Sequence, residues 1–84
     1  MPGLNTEIMQ QGIIYMVQTQ NLGGQRRSIE TTIYSQGLLL LRRSRSYTEI
    51  LGAPDFEAAL EQKMEEAHQE AIRDIRDGKI SALA

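Results

Sequence analysis

The sequence predicts an α+β domain of order β-β-β-α, a three-stranded antiparallel meander followed by one long C-terminal helix. Three observations predict it. Apolar runs rich in β-branched and aromatic residues occupy residues 12–46, Gly-bearing clusters at 21–24 and 35–37 divide them, and one amphipathic stretch runs unbroken from Asp55 to Asp77.

The first strand is Ile13-Ile14-Tyr15-Met16-Val17 continuing into Gln18, Thr19 and Gln20, with apolar groups on both faces. Asn21-Leu22-Gly23-Gly24 ends it with strong turn chemistry, and Gln25, Arg26 and Arg27 complete a polar loop. A second strand begins near Ser28, placing Ile29, Thr31 and Ile33 on one side and Glu30, Thr32 and Tyr34 on the other. Ser35-Gln36-Gly37 turns the chain. A two-residue turn would force Gln36 to positive φ, so the expectation is a three-residue loop with a left-handed Gly37. Ile33 then faces Leu39, and Glu30 faces Arg42. The third strand, Leu38 to about Ser46, opens with four consecutive leucines, so by simple alternation each face receives two.

Phe56, Leu60, Met64, Ala67, Ala71 and Ile75, widened by Ala59 and Ile72, recur at the spacing of one helical face. Pro54 and Asp55 supply a start and Gly78 a stop, with acids early and bases late in the sense the helix dipole favours.

The chain divides into a flexible segment at 1–11, a single domain at 12–79 and a flexible tail at 80–84. Eighty-four residues lie near the lower limit for a self-sufficient core. One helix covers one sheet face, yet both faces carry apolar groups. The expectation is therefore a homodimer that covers the second face through part of the set Ile14, Met16, Tyr34, Leu38 and Leu40, or through its complement if the register slips by one residue. The absence of Cys removes disulfides and thiolate metal sites. No run approaches a membrane span and no secretory leader is visible, so a soluble cytoplasmic protein with no membrane partner is expected.

Tyr15-Met16-Val17-Gln18-Thr19, a Gly some five residues on, then Thr32, Gly37 and Tyr47, resemble a small uncharacterised bacterial domain. That domain reads Y-x-V-Q-T, acidic residues, a Gly, a T-x-x-x-x-x-G hairpin and a C-terminal amphipathic helix. The resemblance spans about residues 12–79 and implies the fold without an activity. Gln20 and Asn21 stand where the pattern carries acids.

Net charge is −2, but residues 22–50 carry +3 and residues 51–84 carry −4. Arg26, Arg27, Arg42, Arg43 and Arg45, with Tyr15, Tyr34 and Tyr47, form a candidate surface for nucleic acid or another anionic ligand, guanidinium groups holding phosphates and rings stacking on bases. A sequence pI near 5.3 weighs against it, and strand edges carry charge simply to block pairing. Glu65 and His68 share a helical face at a metal-ligand spacing, but a carboxylate-bridged site needs more helices than this chain offers. His68 is better read as flanking the apolar stripe with its ring satisfied. No nucleophile with an activating context is present, so a non-enzymatic interaction module without cofactor is the expectation.

Overall fold

The computed structural model describes residues 3–82. Its order is β1 (Leu4–Gln10), β2 (Ile13–Asn21), β3 (Ser28–Ser35), β4 (Leu38–Ser46), a 3-10 turn at Thr48–Ile50 and α1 (Phe56–Arg76). The strands form one antiparallel meander in the order β1-β2-β3-β4. The domain is α+β, as expected, but it has four strands where three are predicted. Residues 4–10, expected as a flexible segment, are an edge strand paired with β2 from Leu4↔Thr19 to Gln10↔Ile13. Composition hid it, because polar side chains occupy half of a strand that has one solvated face.

The turn chemistry also differs from expectation. Gln11-Gly12 and Gln36-Gly37 both close two-residue hairpins with positive φ at each position, 53° and 78° in the first and 54° and 79° in the second. Both glutamines accept the left-handed region because the twist of such turns matches that of the flanking strands. The extra residue falls inside the strand pair instead. Tyr34 pairs with Leu39 but Ile33 with Leu41, so Leu40 is bulged. The β3–β4 register is therefore two residues from the expected one: Ile33 faces Leu41, and Glu30 faces Ser44.

That bulge redistributes the leucines. Leu40 and Leu41 both pack against the core, and Leu38 pairs with the buried Ser35. Only Leu39 shares a side with Tyr34. A bulge sets two successive residues against one partner, which breaks strict alternation.

The helix lies across the face that carries Ile8, Tyr15, Val17, Thr19, Ile29, Thr31 and Ile33. Ala71, Ile72 and Ile75 pack with Ile8, Tyr15, Val17 and Ile33. Leu60, Met64 and Ala67 pack with Ile29 and Tyr47, and Phe56 closes the end with a ring contact to Tyr47 at 6.0 Å. Between these two apolar clusters lies a polar layer. His68, only 2% exposed, binds Thr19 Oγ1 through Nδ1 and Thr6 Oγ1 through Nε2, both at 2.8 Å, and Thr19 Oγ1 meets Thr31 Oγ1 at 3.0 Å. His68 is thus a core residue and not one that flanks the stripe. At the entry of α1, Asp55 occupies the cap position but its side chain makes no capping hydrogen bond. At the exit, Gly78 at φ 78° lets Lys79 N–H donate to Asp74 O at 2.9 Å and Gly78 N–H to Ile75 O at 3.1 Å, closing the last turn.

The segment after α1 also joins the core. Ile80 and Ala82 pack on it, and Ala82 N–H donates to the Tyr15 hydroxyl at 3.1 Å. Of the residues expected to be flexible, 1–2 and 83–84 lie outside the described residues. No helix among the described residues is long and apolar enough to cross a membrane.

Candidate interaction surface

Residues paired directly across an antiparallel sheet point to the same face, so the register defines what the uncovered face carries. One row runs Glu7, Met16, Tyr34, Leu39 from β1 to β4. The next, toward the far end of the sheet, runs Asn5, Gln18, Thr32, Arg42, followed by Gln20, Glu30 and Ser44. On the other side of the first row stand Met9 and Ile14. The apolar residues therefore gather at the end of the face nearest the two Gln-Gly turns, where Ile14, Met16 and Tyr34 line a shallow cleft. Met9 is 68% exposed, Ile14 47% and Leu39 45%.

Of the five residues expected at the interface, Ile14, Met16 and Tyr34 stand together on this face. Leu40 does not, because the bulge turns it toward the core. Leu38 is exposed but pairs with Ser35, on the side opposite Tyr34. Met9, Leu39 and Glu7 complete the surface and lie outside the expected set of five. The alternation Leu4, Thr6, Ile8 and the second copy of the Gln-Gly turn were the signals that could have revealed β1 and with it Met9 and Glu7.

The five arginines do not share one surface. Arg26 and Arg27 are exposed in the β2–β3 loop. This loop is anchored through Asn21, whose carboxamide oxygen accepts from Gly23 N–H at 2.8 Å and from the Tyr47 hydroxyl at 2.9 Å. Arg42 lies on the uncovered face, 3.6 Å from Glu30. Arg43 and Arg45 lie on the helix side of the sheet, and α1 supplies their partners: Arg43 reaches Asp74 at 2.8 Å and Arg45 reaches Glu70 at 2.8 Å. Much of the opposition between a basic sheet and an acidic helix is therefore spent within the chain. Tyr15 and Tyr47 are buried, so of the three candidate stacking rings only Tyr34 stands on the uncovered face.

The remaining titratable groups of note are structural. The Lys63 ammonium contacts Glu49 and holds its carboxyl below the ordinary carboxylate range. Burial pushes His68 below its ordinary value of 6.5, against the pull of nearby Glu65. Both His68 nitrogens are engaged by threonine hydroxyls and Glu65 is exposed, so the pair does not form a joint ligand site. Among the described residues no three metal-ligating side chains converge.

Comparison with known protein families, curated proteins and solved structures finds no match to this chain. The resemblance to the Y-x-V-Q-T domain rests on the residues quoted for it. The functional reading accordingly comes from this surface alone.

Proposed function

We propose that this chain is a non-enzymatic homodimeric interaction module, and that the uncovered sheet face is its contact surface. The observation that carries the reading is the cluster of Met9, Ile14, Met16, Tyr34 and Leu39 on a face that the helix leaves open. A sheet with one covered face ordinarily presents polar residues on the other. Here the polar alternation holds in the rows of Gln18 and Gln20 and fails at the turn end. Grouped exposed apolar residues are what contact surfaces supply, whereas scattered ones carry no such meaning.

Sedimentation equilibrium tests the proposal. The expected mass is about twice the 9.5 kDa of the chain at micromolar concentration. Tyr34→Glu should shift the equilibrium toward monomer, since burying an unpaired carboxylate against apolar groups costs several kcal/mol. A monomer at all concentrations up to the millimolar range rules the reading out.

A further inference from the structure

Resting on that reading, we infer that the second copy sits face to face with its two-fold axis running along the strands, held in place by Glu7 against the partner's Arg42. Two aligned placements of one sheet upon its copy are open, with the axis along the strands or across them. The charges and the area choose between them.

With the axis along the strands, β1 lies over the partner's β4 and β2 over the partner's β3. Each row then meets the same row of the partner. Met16 covers the partner's Tyr34, Gln18 the partner's Thr32, and Gln20 the partner's Glu30, so amide donors meet oxygen acceptors. Glu7 lands over the partner's Leu39, and the partner's Arg42 stands over Asn5. Glu7 and the partner's Arg42 are thus one row apart, about 6.8 Å along the strands, within the span of an arginine side chain. The partner's Arg42 then lies between Glu7 and its own Glu30, which it already faces at 3.6 Å.

With the axis across the strands, the apolar end can cover itself only if the rest of each sheet overhangs. The two Glu7 carboxylates then stand one row apart, and both Arg42 side chains fall outside the overlap. Like charges are brought together and their counterions are left out. The areas agree with the electrostatics. Four strands of seven to nine residues, about 4.8 Å apart with about 3.3 Å per residue, make a face of roughly 520 Å² in flat projection per copy. Two such faces exceed the roughly 1,000 Å² expected of a specific interface, whereas overlap of the apolar rows alone gives about half of that.

The chain has no cysteine, which makes the arrangement directly testable. Asn5→Cys and Ser44→Cys place single thiols at exposed sites on opposite edges of the uncovered face. A short bismaleimide should link the two variants to each other in an equimolar mixture and link neither efficiently to itself. Glu7→Arg should raise the dimer dissociation constant at least tenfold, measured by sedimentation. A mixture that fails to cross-link while the chain still sediments as a dimer overturns the axis but leaves the dimer standing, and so does a Glu7→Arg chain that dimerises like the wild type. A monomeric wild type overturns both this inference and the reading beneath it.

Discussion

Replacing Thr19 with valine should destabilise this domain far more than the removal of one hydroxyl suggests. Thr19 is 1% exposed, and its Oγ1 bonds both His68 Nδ1 and Thr31 Oγ1. Either neutral tautomer completes the chain. In one, Thr31 donates to Thr19, Thr19 donates to Nδ1, and Nε2–H donates to Thr6; in the other every donor reverses. Valine keeps the shape and removes the link, leaving a ring nitrogen and a hydroxyl without partners. A buried unpaired polar group costs about 1 to 3 kcal/mol, so the two together cost about 2 to 6. The added methyl returns about 0.8 kcal/mol, which centres the expected loss near 3 kcal/mol. For a domain of this size that corresponds to a fall in Tm of roughly 12 to 24 °C. Urea denaturation followed by circular dichroism at pH 7.5 measures it. Converting the layer as a whole, Thr6→Val, Thr19→Val and Thr31→Val with His68→Leu, removes the unpaired atoms along with the bonds and should return stability to within about 1 kcal/mol of the wild type. A Thr19→Val chain within about 0.5 kcal/mol of wild type would refute the reasoning, because ordinary surface substitutions fall in that range.

Three further outcomes follow from features described above. Burial lowers the folded value of His68 below 6.5, so the unfolded chain holds the extra proton: stability is complete above about pH 6.5 and falls as pH drops through that value, and a thermal melt should show a lower Tm at pH 5.5 than at 7.5, with the difference reduced in the all-apolar layer variant. Leu60→Ala, which hollows the cluster of Ile29, Tyr47 and Met64, should cost about 2 to 5 kcal/mol by chemical denaturation, and a loss under 1 would contradict the packing. Gln36→Asn should stabilise the β3–β4 hairpin by about 0.5 to 1 kcal/mol, since asparagine tolerates the left-handed region that costs other residues roughly 1 to 2; a destabilised variant would show that the Gln36 side chain has a role beyond its backbone.

The long helix and the two central strands were legible because each buries one complete face, and burial writes its period into the sequence. Leu60, Met64, Ala67, Ala71 and Ile75 are all core residues. The Gly78 stop was legible too, since only a left-handed residue closes the last turn in that way. Strand β1 was not, because an edge strand with one solvated face carries half the apolar signal. The register of β4 was hidden for a different reason. Alternation assumes strict pairing, and four identical leucines give no mark of where a bulge falls. His68 was misplaced because a histidine beside an apolar stripe looks the same whether it tops the stripe or enters it. The three threonines of its polar layer lie on three separate strands, so only the folded sheet brings them together. The arginines were visible as a group in the sequence, but the strand period sends Arg43 and Arg45 to one face and Arg42 to the other.

The polar layer also bears on which packing the chain selects. The helical stripe nearly repeats every turn: a slide of one turn, about 5.4 Å, would put Met64 where His68 sits and Ala67 where Ala71 sits, at little cost in apolar contact. Such a slide would strand the imidazole among aliphatic groups and leave Thr6, Thr19 and Thr31 facing carbon. Hydrophobic attraction is indifferent to position along the stripe, and hydrogen bonding is not. The layer works as a notch that admits the helix at one height, a role that single buried polar residues fill in coiled coils. A chain with the layer made wholly apolar should then keep its stability and lose its singleness, giving doubled or broadened amide resonances for residues 60–75 where the wild type gives one sharp set.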